Sequence, residues 1–214
     1  MRSVSRVTPI AAMLGCVAVL AACDNTRDIA QAESPATAVA ASAAPAPLQA
    51  LPSGAALMSP RPGLYTAGQP GAEDWSALAA AGVRTVVDLR APGELQGRDE
   101  RAEVEAAGLR YVRIPVAGAS AIDADKAAQL SALLSGADGA VLVHCASGNR
   151  VGGLLAVAMA QSGMGEDQAL AIGRNAGMTS TEARARQVIA DERDAQAQRC
   201  AAGATPDPTQ CAAP

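Results

Sequence analysis

The segment VLVHCASGNRVGG, Val141 to Gly153, brings together the residue types that a thiol-based nucleophilic site needs. An apolar run ends at His144, the only histidine in the chain, and Cys145 follows at once. Arg150 comes after a four-residue loop, at the head of a second apolar segment. A cysteine that closes a buried strand and precedes a helix faces unpaired backbone N–H groups and the positive end of the helix dipole. That field favours the thiolate, which is the nucleophilic form. Arg150 adds paired donors suited to a tetrahedral oxyanion. Ala146, Ser147, Gly148 and Asn149 would form the amide cradle, and Gly148 can take the positive φ that turns amides inward. His144 is expected to orient the loop by hydrogen bonds rather than to act as a base. A lone histidine excludes a His-rich metal centre and argues against a Ser-His-Asp triad. No glycine-rich nucleotide loop followed by Lys-Ser/Thr is present, so neither a cofactor nor a metal is expected.

Such a loop must be held by alternating strands and helices. RTVVDLR and LRYVRIPV read as strands, and GAVLVHC as a third. The third is almost wholly apolar, as a central strand buried on both faces should be. AEDWSALAAAGV reads as a helix stopped at Gly82, and ELQGRDERAEVEAAG as a charged helix ending at Gly108. The acidic RDERAEVE is expected to be a solvated helix face. DADKAAQLSALLSGA is a helix capped by Asp123 or Asp125, with Leu130, Leu133 and Leu134 inward. VGGLLAVAMAQSGM is apolar all round and predicts a buried helix. TSTE, Thr179 to Glu182, has the pattern of a capping box opening a last helix to about Gln198. Strand and helix alternation predicts an α/β sandwich with a central, mostly parallel sheet flanked by helices.

The 214 residues suit one domain with tails: a core region over 60–198 and a C-terminal tail over 199–214. With one Trp, two Tyr and no Phe, the core must be built from aliphatic residues and alanine. The formal charge of −4, without a basic stripe, argues against nucleic acid as a partner. Residues 1–22 read as a signal peptide, with Arg2 and Arg6 before an apolar stretch. Its end, LAAC, resembles a bacterial lipobox. That resemblance implies cleavage before Cys23, lipidation of its thiol, and a membrane partner through the lipid. The domain would then face the periplasm, anchored in the bacterial cell envelope. Asp24 matches the inner-membrane retention signal of enteric lipoproteins, though which membrane is used stays open. Residues 23–59 form an Ala/Pro/Ser-rich tether. In that compartment disulfides persist. Cys200 and Cys211 flank a Pro/Gly-containing turn that can bring them together, the alternative being two free thiols.

HCASGNR resembles the active-site loop of cysteine-dependent phosphatases. LYTAGQP, AGVRTVVDLR, AAGLRYVRIPV and LVHCASGNRVG, in that order, resemble the phosphatase-like domain of the beta-lactamase-hydrolase-like family, a bacterial relative of dual-specificity phosphatases. The resemblance covers roughly residues 60–178 and implies a dual-specificity-phosphatase-like fold. It also implies Cys145 as nucleophile, Arg150 as oxyanion clamp, Ala146 to Asn149 as cradle, and a small phosphoester or phosphoprotein as substrate. Three departures stand out. The Cys–Arg loop has four residues where tyrosine and dual-specificity phosphatases have five. Val151 replaces the hydroxyl residue that usually follows the arginine. The loop expected to carry an acidic aspartate reads AGASAIDAD, where Asp123 and Asp125 come late; either could protonate a leaving group, but each is more simply a helix cap. The shorter loop also resembles that of rhodanese sulfurtransferases, which carry a persulfide. Sulfur transfer and non-catalytic oxyanion binding therefore stand beside phosphoester hydrolysis as alternatives.

Overall fold

In the computed structural model, which describes residues 48–94 and 97–203, the chain opens on a hairpin that alternation alone does not reveal. Strands β1 (Leu57–Arg61) and β2 (Leu64–Ala67) pair antiparallel across a turn at Gly63, whose φ of 74° suits glycine. Four further elements follow: α1 (Asp74–Ala80), β3 (Val83–Asp88), α2 (Glu100–Ala106) and β4 (Arg110–Arg113). A 3₁₀ turn at Ala119–Ala121 leads to α3 (Ala124–Ser135) and β5 (Ala140–His144). Three helices complete the chain: α4 (Asn149–Gln161), α5 (Glu166–Asn175) and α6 (Glu182–Ala201). The sheet order is β1-β2-β5-β3-β4, with every pairing after the first hairpin parallel. The expected architecture, a mostly parallel sheet flanked by helices, is the one observed.

The apolar β5 lies at the centre of that sheet, between β2 and β3. Its residues alternate between two cores, as strand geometry requires. Val141 and Val143 pack with α4, α5 and α6, whereas Leu142 packs with Tyr65, Trp75, Leu78, Val86 and Val104. Helix α4 is buried along nine of its residues, Val151 to Met159. Leu154 and Leu155, fully buried, each contribute roughly 1.5–3 kcal/mol of burial free energy. Gly152 and Gly153 let this helix approach its neighbours closely. A Cβ on Gly152 would lie 2.4 Å from the Gly173 carbonyl oxygen, and one on Gly153 would lie 2.6 Å from Thr181 Oγ1.

Several boundaries differ from the sequence reading. The packed region begins before residue 60, inside the stretch read as tether. Leu51 is buried in the core, and Ser53 donates through its amide and hydroxyl to Asp74. At the other end α6 runs to Ala201. The charged helix is much shorter than expected, because Gly97 takes a φ of 76° and Asp99 caps a new start by accepting the Ala102 amide. The capping box at Thr179 does not form. Asn149 Oδ1 accepts the Thr179 amide instead, and Thr181 becomes the N-cap without a side-chain cap bond. Helix α5 is not anticipated. Cys23 and Cys211 lie outside the described residues, and Cys200 closes the last turn of α6.

Candidate active site

The loop after β5 turns on Gly148, which adopts the left-handed conformation at φ 85° and serves as the N-cap of α4. Its amide donates to Cys145 Sγ at 3.1 Å. The thiol is fully buried and sits with the α4-side core. The loop is buttressed from β2: the Cys145 amide donates to Ala67 O at 3.4 Å and the Gln69 amide to Ala146 O at 3.1 Å. Ala146 and Ser147 are exposed at the loop crest. Asn149 has a different role from the one its position suggests. Its side chain turns toward the segment before α6, where Oδ1 accepts the amides of Thr179 (2.8 Å) and Thr181 (3.2 Å). Its Nδ2 donates to Ser180 Oγ, and its carbonyl accepts from Thr181 Oγ1.

Arg150 lies in the first turn of α4. It donates to both oxygens of Glu94 at 2.7 and 2.6 Å, and to Val116 O at 2.7 Å. It therefore ties together the loops that leave β3 and β4. The Glu94 carboxylate and the nearby Cys145 thiol both reinforce its positive charge. Glu94 in turn is held below the usual carboxylate range, chiefly by Arg150 and secondarily by the Ala91 amide. No motif in the sequence singled out Glu94. Its signal was only a lone acid between Gly93 and Gly97 on the loop after a strand.

His144 belongs to the opposite face of the sheet from Cys145. It is buried, stacks at a tilt 6.3 Å from Trp75, and has Nε2 at 3.0 Å from Glu100 Oε1, without hydrogen-bond alignment. Around it runs a buried ion network. Arg90 binds Asp88 through Nε and Nη2, each at 2.8 Å, and Glu100 at 2.6 Å. Tyr111 donates to Asp88 at 2.6 Å, and Gln69 bridges Arg90 and Glu100. Burial alone would raise the Asp88 pKa. Hydrogen bonds from Arg90 and Tyr111, with the charge of His144, outweigh it and hold the group at about 2. Asp88, Glu100 and His144 offer ligand atoms within 4.8 Å of one another, a spacing a metal ion could use. Arg90 pairs with both carboxylates there, and Arg113 lies 3.4 Å from Asp88, so the same atoms already serve an ion network. Glu100 is only 3% exposed, which corrects the reading of RDERAEVE as a solvated face.

The two aspartates considered as acids are placed elsewhere. Asp123 caps α3 by accepting the Lys126 amide at 2.8 Å and pairs with the Lys126 ammonium. Asp125 is exposed in the first turn of the same helix. Among the described residues, neither forms a hydrogen bond or ion pair with Cys145 or Arg150.

Comparison with known proteins follows this geometry. The family described as "Polymorphic toxin system, DSP-PTPase phosphatase" matches residues 62–164. The Beta-lactamase hydrolase-like protein of Xylella fastidiosa (strain Temecula1) is 37% identical over 115 residues, covering 51% of this chain and 26% of that protein. Its namesake in Agrobacterium fabrum is 35% identical over 91 residues, covering 41% and 21%. The chain thus spans about a quarter of the length of these relatives. Pseudomonas aeruginosa TpbA superposes with a TM-score of 0.51 at 26% identity, covering 70% of this chain and 91% of that one. Tk-PTP in its active form gives 0.54 at 18% identity, covering 63% and 96%, a likeness of fold. Residues 62–164 accordingly resemble a DSP-PTPase phosphatase domain, and the chain shares the fold of PTP-like phosphatase structures.

Proposed function

We propose that the chain hydrolyses phosphoesters by forming a phosphoenzyme on Cys145. The observation that carries this reading is the Gly148 amide on Cys145 Sγ at a helix N-terminus, with Arg150 one helical residue further on. Backbone dipoles aimed at sulfur favour the thiolate and then meet the oxygens of a transferring phosphoryl group. Arg150 serves as the clamp on those oxygens through the N–H groups that Glu94 and Val116 leave free on its Cys145 side. Attack by sulfur on phosphorus would expel the alcohol, and water would then release phosphate and return the thiolate. Val151 is buried among apolar side chains and offers no hydroxyl to the departing sulfur, so the second step should be slow. Substrates would be small phosphoesters or phosphoproteins. Lipidation at Cys23 would hold the domain at the envelope, facing the periplasm, with residues between the anchor and the domain as a tether. A Cys200–Cys211 bridge would close the C-terminal tail.

The test is the purified chain assayed in parallel with p-nitrophenyl phosphate and with thiosulfate plus cyanide. Phosphate release that disappears in Cys145→Ser is the expected result. Thiocyanate production without phosphate release would replace this reading with sulfur transfer, and neither product would leave an oxyanion-binding module.

A further inference from the structure

We propose that Gln69 is a positioning residue that fixes the peptide between Ala146 and Ser147, so that the Ser147 amide points at the oxyanion site, and that it draws its rigidity from the buried ion network. This rests on the phosphatase reading above and adds to it how one donor of the cradle is aimed.

Beyond β2 the backbone runs along the catalytic loop. The Gln69 amide donates to Ala146 O at 3.1 Å. The approach is so close that a Cβ on Gly68 would lie 3.3 Å from the same oxygen and 3.6 Å from Ser147 Cα. A trans peptide holds its C=O and N–H in one plane, pointing opposite ways. β5 lies between β2 and β3. With the Ala146 carbonyl turned to the β2 side, the Ser147 N–H therefore points away from β2, toward the β3 side. That is the side on which Arg150 meets Glu94, after β3, and Val116, after β4. Among the described residues, nothing accepts from the Ser147 amide. An unspent backbone donor and the guanidinium that interacts with Cys145 thus converge on one space.

What holds Gln69 is its side chain. Its Oε1 accepts from Arg90 Nη1, and its Nε2 donates to Glu100 Oε2 at 2.8 Å and to Pro70 O at 3.1 Å. Arg90 and Glu100 are 2% and 3% exposed and bound to each other at 2.6 Å. An amide tied at both ends to a buried ion pair is confined to one rotamer, and the backbone that carries it is confined with it. The network on the α2 face of the sheet therefore reaches the loop through a single residue, although Cys145 packs on the other face. Cutting that side chain frees the backbone at 68–70, and the peptide between Ala146 and Ser147 loses its fixed tilt. The donor is then present but no longer aimed, which weakens its hold on an oxyanion.

The experiment titrates tungstate, a tetrahedral oxyanion, calorimetrically into the purified chain and into Gln69→Met and Gln69→Glu. Kinetics on p-nitrophenyl phosphate and urea unfolding are recorded on the same preparations. We expect Gln69→Met to bind tungstate about tenfold more weakly and to lose about tenfold in kcat, the value of one hydrogen bond to a charged group. Gln69→Glu keeps the acceptor for Arg90 but sets a carboxylate against Glu100, with Asp88 behind Arg90 and His144 beside Glu100. It should be impaired at neutral pH and recover relative to wild type on acidification, as the carboxylate pair takes up a proton and regains a donor. It also carries the test if Gln69→Met does not fold. Variants that unfold at lower urea yet keep wild-type tungstate affinity and kcat would reduce Gln69 to a structural residue, and the proposal would fall. A Gln69→Glu deficit that does not change with pH would count against it equally. Tungstate binding weakened as expected, in a chain that releases no phosphate, would keep the proposal and overturn the phosphatase reading. A chain that neither binds tungstate nor releases phosphate would overturn both.

Discussion

His144 and Cys145 are consecutive in the chain and point to opposite faces of the sheet. The histidine lies with Trp75 and Glu100, and the thiol with the core under α4. A proton cannot pass directly between them. His144→Gln should therefore lower stability, by about 1–3 kcal/mol for a disturbed buried polar group, while reducing kcat less than tenfold. Denaturant titration and steady-state kinetics on the same preparation check both numbers.

Arg150→Ala should cost about 10²–10³ in kcat on an aryl phosphate, the usual loss when one donor to a developing oxyanion is removed. Cys145→Ser should abolish turnover altogether. The phosphate-release assay separates the two, since a residual rate is expected only for the arginine variant.

Val151→Ser places a hydroxyl beside the loop. If breakdown of the phosphoenzyme limits turnover, a presteady-state burst of p-nitrophenol in wild type should shrink in the variant as the steady rate rises. A larger burst with an unchanged steady rate would argue against a slow second step.

The Asp88–Arg90–Glu100 network makes a signed prediction about pH. Asp88 is held at about 2 in the folded protein, below its ordinary value near 3.8. Its contribution is present above the unfolded value and is lost as pH falls from about 4 through 2. Arg90→Met reverses the sign. It leaves the buried Glu100 without Arg90 and Asp88 with Arg113 alone, at 3.4 Å, costs about 3–5 kcal/mol at neutral pH, and should recover stability on acidification as those groups take up protons. Urea unfolding across pH 2–7 distinguishes the two slopes.

Replacing Cys23 by Ser should leave an unprocessed precursor without lipid. Fractionation of the envelope, with mass spectrometry of the N-terminus, checks this. A variant that is processed and fractionates like wild type would refute the anchor.

What could be read in advance was whatever rests on local pattern. GAVLVHC is apolar without alternation, so a central strand followed, and Cys145, Gly148 and Arg150 were set by their order along a single loop. The ion network was not legible, because Asp88, Arg90, Glu100 and Tyr111 meet only through the pairing of β3 with β4 and the packing of α2. Glu100 lies within a run of charges that looks solvated in one dimension. The hairpin β1–β2 escaped notice because Pro and Gly interrupt it and its hydrophobic stretch is short. Glu94 is separated from Arg150 by 56 positions, a distance that no spacing rule spans.

The grip of Asn149 on Thr179 and Thr181 also sets an order of events in biosynthesis. The two sides of that contact are 30 residues apart, and the locking side is made second. A polypeptide emerging N-terminus first therefore presents its thiol, loop and arginine before the segment that fixes the start of α4 exists. The centre can mature only once the chain has emerged past that segment, so nascent or prematurely terminated chains should carry the reactive cysteine without its activity. Truncation after Met178 would make such a chain on purpose, and the expected outcome is a protein that still offers a thiol to alkylating reagents but turns over no phosphoester.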